Sequence, residues 1–210
     1  MKKASFLLIA ATLLPSFAQA HQAGDIIVRG GTATVRPVEG SDNVLGLGSF
    51  DVNNNTQLGL TFSYLVTDNI GVELLAATPF THKVGLNGTG ELAEVSHLPP
   101  ALMAQYYFGD QNDKLRPYLG VGVNYTLFFD EKFNSRGESL GLTDLSLKNS
   151  WGVAAQAGVD INLADNWLLN ASLWWMDIDT DVKFNAGGQQ QSISTRLDPW
   201  VFMFGFGYRF

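Results

Sequence analysis

Three histidines, His21, His82 and His97, carry every imidazole of this 210-residue chain. A histidine activates a nucleophile or moves a proton only when an orienting partner and a reacting group lie within hydrogen-bond reach. Ser96 is next to His97 in sequence, but neighbours on a strand point to opposite faces. His82 and His97 flank one connecting segment and can face each other across it. Two histidines alone are an incomplete metal site. They read as ordinary histidines near the rim of a fold, and no enzymatic role is expected. The chain has no cysteine, and so no disulfide, thiol nucleophile or thiolate metal site. Asp177, Asp179 and Asp181 have the spacing that opens a calcium loop. The sixth position, however, is Val182 where Gly is needed, and the twelfth is Gly188 where Glu is needed. These acids read as a solvated strand edge, and no cofactor is implied.

A second group of polar residues sits at alternate positions inside apolar segments. Arg29, Glu73, Asp160 and Arg209, with Gln105 and Asn170, each lie within a few residues of a short turn or chain end, which puts them at one level. Two bases and two acids in one narrow interior can pair, and must pair where water is scarce. They are expected to form a polar floor.

The segments that would position them alternate with period two. Eight can be read, over 25–36, 57–66, 70–81, 95–108, 116–129, 150–163, 167–184 and 192–210. Their connections alternate short (67–69, 109–115, 164–166) and mostly longer (37–56, 82–94, 130–149, 185–191). The last ten residues state the pattern most clearly. Phe202, Phe204, Phe206, Tyr208 and Phe210 share one parity, and Val201, Met203, Gly205, Gly207 and Arg209 the other. A strand that is greasy on one face and small or polar on the other, repeated eight times with short and long turns, is the pattern of a transmembrane β-barrel. The fold class expected is all-β, an eight-stranded antiparallel transmembrane β-barrel, with both termini on the periplasmic side.

The outward parity is apolar, with Tyr64, Tyr106, Phe108, Trp167 and Tyr208 at one level and Phe80, Trp175 and Trp200 at another, as interfacial girdles. Above the polar floor the inward parity turns apolar. Leu75, Trp174, Met103 and Met203 are expected to make a constriction, although large inward groups serve equally as filler. Above them come Ala77, Pro79, Ala101, Val201 and Met176, and inward glycines are expected to leave room in the lumen. The seventh segment is longer than a tilted strand needs to cross an apolar band of about 25 Å, so the barrel should project beyond the membrane. Residues 144–148, within the third external connection, can form a helical turn or a plain loop.

At the other end, Lys2 and Lys3 precede an apolar run to Leu14, and Ala18-Gln19-Ala20 is a small-x-small cleavage site. Residues 1–20 read as a cleaved N-terminal signal peptide and 21–210 as the barrel. No later apolar run reaches 18 residues, so no transmembrane helix is expected. The formal net charge of −7, more negative once the two lysines leave, argues against nucleic acid as a partner, and none is expected.

Several stretches resemble the outer-membrane protein W family. They are Ala23-Gly24-Asp25, Ala33 to Pro37, Asn55 to Phe62, Asp68 to Phe80, His97-Leu98-Pro99-Pro100, and Leu197 to Phe210. The resemblance implies an eight-stranded barrel of Gram-negative outer membranes with a narrow hydrophobic channel that admits small hydrophobic molecules. The alternating aromatics ending at Phe206, Tyr208 and Phe210 also resemble the C-terminal signal read by the outer-membrane assembly machinery. Outer-membrane lipid, lipopolysaccharide and small hydrophobic solutes are the partners expected.

Two functions follow. One is a passive uptake channel with an apolar lumen. The other is a structural or adhesive barrel with a plugged lumen and function in its loops. For a channel, Pro79, Pro99 and Pro100 fall at one height on strands joined by a single hairpin. Proline lacks the ladder donor, so a lateral exit into lipid is expected beside them. The leader assignment has a direct check: protein recovered from outer membranes should begin at His21 on N-terminal sequencing, and an intact residue 1 would contradict it.

Overall fold

A computed structural model describes residues 21–38, 40, 41, 43, 44, 46, 48–86, 89–163 and 166–210. The signal peptide expected over 1–20 lies outside the described residues. In chain order the elements are β1 (Ile26–Arg36), β2 (Gly40–Ser41), β3 (Phe50–Val52), β4 (Asn55–Leu65), β5 (Ile70–Ala77), β6 (Phe80–Leu86), β7 (Gly90–Leu98), β8 (Ala101–Tyr107), β9 (Leu115–Phe133), α1 (Ser135–Ser139), β10 (Leu142–Leu147), β11 (Ser150–Asn162), β12 (Trp167–Met176), β13 (Asp179–Ala186), β14 (Gln189–Arg196) and β15 (Trp200–Arg209).

Eight of these close a ring in the order β1–β4–β5–β8–β9–β11–β12–β15, with β15 paired back to β1 and every neighbour antiparallel. Closure leaves no unpaired edge, which a barrel in hydrocarbon requires. The outward face carries Leu58, Leu119, Val121, Val153, Phe204 and Phe206, all exposed, as a lipid-facing surface must be. Tyr64, Tyr106, Phe108 and Trp167 are exposed near the short turns. At the far side Trp151 packs on Tyr125 with ring centroids 4.5 Å apart, and Trp200 is exposed.

Above the ring the strands break at a common height, at 78–79, 99–100, 148–149, 177–178 and 197–199. Four of the strands read from the alternation, over 70–81, 95–108, 167–184 and 192–210, are therefore two-part strands, while β9 runs through unbroken. Their outer parts form two groups: β3–β6–β7, joined to the upper end of β9, and β10–β13–β14–β2. Gly187 and Gly188 both have positive φ, as a two-residue hairpin turn between β13 and β14 requires.

Three expectations are corrected here. Phe80 is not part of a lipid-facing girdle but is buried, because the break at Pro79 shifts the parity of the third strand by one residue; Pro79, expected inward, is exposed. Residues 142–147 are extended as β10, paired to β13, and the helical turn lies earlier, over α1, where the Asn134 side chain accepts from the amides of Arg136 and Gly137. The inward glycines do not leave a lumen open. A Cβ on Gly122 would lie 2.7 Å from the Met103 sulfur, and one on Gly158 would overlap the Tyr118 ring, so large side chains already fill the space.

Candidate functional site

The barrel interior is layered. Near the periplasmic end Ile27, Leu65, Tyr107, Tyr118 and Leu168 pack together. Above them Arg29 on β1 reaches across the lumen to β5, with β4 between, and to β11, with β15 and β12 between. Its guanidinium donates to Glu73 at 2.8 Å, to Ser63 at 2.6 Å, to the Tyr107 hydroxyl at 2.9 Å and, through Nε, to Asp160 at 3.0 Å, with a second, shorter contact to Asp160. Glu73 also accepts from Ser63, Gln105 and Gln156 at 2.7–2.9 Å. Asp160 also accepts from Asn170 at 2.8 Å and contacts His21 Nε2 at 2.8 Å. Arg29, Glu73 and Asp160 are fully buried. Charges at that depth persist because each is paired and its remaining oxygens or protons are bonded.

The sequence placed Arg29, Glu73 and Asp160 together, with Gln105 and Asn170, and the structure brings these five into one network. Arg209 does not join it. It is only half-buried, 3.7 Å from Asp25 and bonded to Asn166, at the mouth where the strand ends. The second buried guanidinium is Arg116, which lies 5.8 Å from the Tyr107 ring centre and donates to the Asp68 carbonyl at 2.7 Å. Its parity, shared with Tyr118 and Gly120, was the available signal. His21 was also unforeseen, since it precedes the first strand; its ring is buried beside Tyr107.

Above the network Leu75, Met103, Trp174 and Met203 are each at most 4 % exposed and belong to one packed apolar cluster with Val35, Ala101, Met176 and Val201. The Trp174 indole donates to Ser172 at 3.1 Å, so its one polar atom is satisfied. These four residues thus close the waist of the barrel by contact.

The outer half is different. Between its two groups of strands lies a cavity of about 290 Å³ lined almost entirely by apolar side chains, among them Leu92, Val95, Phe133, Leu145, Val182 and Phe184. The polar lining residues are His82, His97, Thr89, Thr180 and Thr195. His82 and His97 do face each other, Nε2 to Nε2 at 3.0 Å, with His97 stacked on Phe80. They lie beyond the membrane-spanning strands. Burial lowers both from the ordinary histidine range, His97 to about 3 with the adjacent His82 adding to the effect, so the pair is uncharged at neutral pH. Ser96 points elsewhere and bonds Thr81.

The three prolines mark a seam. The ladder between β5 and β8 ends at the Leu75–Ala101 pair and resumes as β6–β7 at Phe80–His97. Thr78 donates to Leu58 on β4, and Tyr125 on β9 donates to the Pro100 carbonyl. Successive residues on a regular strand turn their backbone groups to opposite neighbours, so Pro99, next to Pro100, presents its donorless nitrogen to this seam, and Pro79 lies at the break itself. None of the three lines the cavity; Pro37 and Pro199 do. In the acidic segment Asp179 shares Arg196 with Asp198, at 3.5 and 3.6 Å.

A closed eight-stranded ring, girdled by aromatics and pinned inside by buried ion pairs, defines a small outer-membrane β-barrel protein. The chain belongs to the OmpW family, whose family model matches residues 22–210. It is 60% identical over 212 residues to outer membrane protein W of Escherichia coli (strain K12), with all of both chains covered. The crystal structure of the outer membrane protein OprG from Pseudomonas aeruginosa superposes with a TM-score of 0.85 at 44% identity, over 91% of this chain and 98% of that one. The dibenzothiophene metabolism operon protein PahQ of Pseudomonas aeruginosa is 26% identical over 166 residues, 78% of this chain and 75% of that protein.

The network sets a stability prediction. Arg29→Met should cost about 3–5 kcal/mol by leaving two buried carboxylates uncompensated. Glu73→Gln, which keeps an acceptor oxygen for two of the four bonds Glu73 receives and leaves Asp160 paired with Arg29, should cost less. Urea unfolding in lipid vesicles, followed by tryptophan fluorescence, checks the order; equal and small losses would mean the network is not what holds the floor.

Proposed function

We propose that the protein is a passive channel that takes up small hydrophobic molecules from outside the cell and releases them sideways into the outer membrane. The apolar cavity in the projecting half carries this reading. It offers an apolar solute a dry site above the membrane surface, and desolvation supplies the driving force. Below it the path along the barrel axis is closed by Leu75, Trp174, Met103 and Met203 and then by the Arg29 network, where such a solute gains nothing. Lipid is the better destination. The proline seam, where the ladder is interrupted and Pro99 offers no donor, is the segment of wall that separates at least cost. The name of the PahQ relative, which concerns a small apolar aromatic, supports a substrate of that kind. Nothing in this reading requires a catalytic step: the two rim histidines bond each other and a backbone carbonyl. The outward aromatics Phe206, Tyr208 and Phe210 serve assembly rather than transport, and lipid and lipopolysaccharide surround the barrel.

The packed waist favours a second reading, a structural or adhesive barrel whose loops do the work. Uptake separates the two. Proteoliposomes should take up naphthalene faster than protein-free vesicles. Pro99→Ala/Pro100→Ala should slow that uptake roughly fivefold, about the worth of one backbone hydrogen bond of ~1 kcal/mol that must break at each opening. Leu75→Lys, which puts an unpaired charge under the cavity, should slow it too. Wild-type rates in the folded proline variant would remove the seam from the path, and no uptake by the wild type would leave the structural reading.

A further inference from the structure

The cavity is apolar but not featureless. Its three threonines spend their hydroxyl hydrogens on backbone carbonyls: Thr89 on Leu86 at 2.9 Å, Thr180 on Lys148 at 2.6 Å and Thr195 on Ile193 at 3.4 Å. The two histidines are the only titratable side chains on the lining among the described residues, and they are buried, at 4 % and 6 % exposure.

Their hydrogen bonds fix their tautomers. His82 Nδ1 lies 2.6 Å from the Asn53 carbonyl oxygen, which can only accept, so the hydrogen of His82 sits on Nδ1. A neutral imidazole carries one hydrogen, which leaves His82 Nε2 as an acceptor. His97 Nε2, 3.0 Å away, must then be the donor. The remaining ring nitrogen, His97 Nδ1, is therefore a bare lone pair. It is buried and has no hydrogen-bond partner in the protein. The ring cannot readily turn to find one. It is held between Phe80, with ring centroids 5.5 Å apart, His82 at 5.0 Å and Phe128 at 6.0 Å.

A buried acceptor without a donor is costly, and a guest that supplies the donor recovers that cost. We propose that His97 makes the cavity a selective site for small neutral apolar molecules bearing one hydroxyl, such as phenols and alcohols, whose O–H donates to His97 Nδ1 while the apolar body fills the space between the two groups of strands. A hydrocarbon of the same shape leaves the nitrogen unpaired. A carboxylate offers no hydrogen and sets its charge against the lone pair. His82 acts through His97: its bond to Asn53 sets the tautomer that makes His97 an acceptor. This specificity rests on the uptake reading above and names its preferred substrate class.

The matched pair 2-naphthol and 2-methylnaphthalene tests it, with full-length protein in bilayers and histidines labelled with ¹⁵N. Titration with 2-naphthol should move the His97 Nδ1 resonance, and 2-methylnaphthalene should not. Binding of the naphthol should be about fivefold tighter, the net worth of one neutral hydrogen bond. His97→Phe should abolish that preference and keep binding of the methylnaphthalene. Equal affinities in the wild type, an unmoved resonance, or a preference that survives in His97→Phe would overturn the proposal. The titration uses unaltered protein, so it decides the matter even if the variant fails to fold. It also separates the two readings. A failed uptake assay with a shifted His97 resonance removes the channel and keeps the site, and uptake of both compounds at equal affinity does the reverse.

Discussion

In hydrocarbon every backbone N–H and C=O must find a partner within the protein, and the architecture of this chain follows from where that demand holds and where it stops. Within the membrane the demand is met by a closed ring of eight strands. Above it water can satisfy an edge, and the ring divides into two groups of strands whose side chains meet in an apolar cluster. The apolar cavity lies between them because the faces they turn inward are apolar at that height. The breaks at 78–79, 99–100, 148–149, 177–178 and 197–199 are the joint between the two regimes.

Inside the ring the narrow bore imposes a second condition. Eight strands leave room for side chains and little else. Near the periplasm the chain fills that room with charge, and the cost of burying Arg29, Glu73 and Asp160 is offset by bonds from six strands that also tie opposite walls together. At the waist it fills the room with Leu75, Met103, Trp174 and Met203. The outer half holds a sizeable apolar space. The seam at Pro79 and Pro99 lies at the level where that space meets the packed waist.

The fold was legible because period-two alternation is a strong signal when one face meets lipid and the other a packed bore. The same parity placed Arg29, Glu73 and Asp160 on one level and let His82 and His97 face each other. It failed where the backbone departs from a regular strand. Pro79 inserts a shift that turns Phe80 inward, and nothing in the apolar character of Phe80 reveals that. Arg209 has the right parity but stands at a strand end, where Asp25 and Asn166 are nearer than the floor. His21 lies before the first strand, where no periodicity applies. The polarity of residues 144–148 suits a turn, but the strand pairs with β13 on both sides of an irregularity at Asp144 and Leu145, where Asp144 has positive φ, and Leu142, Leu145 and Leu147 line the cavity. The cavity itself could not be read at all, since it depends on how far apart two groups of strands stand.

The central claim is that small apolar molecules lodge in the outer cavity and do not pass down the packed axis of the barrel. Methyl-labelled protein in lipid bilayers, saturated with a protonated apolar solute, tests it most directly through proton contacts between solute and side chain. Contacts to the methyl groups of Leu92, Val95 and Val182, with none to Leu65 or Leu168 below the Arg29 network, are the predicted result. Solute contacts that continue past Leu75 and Met103 to Leu65 and Leu168 would contradict it.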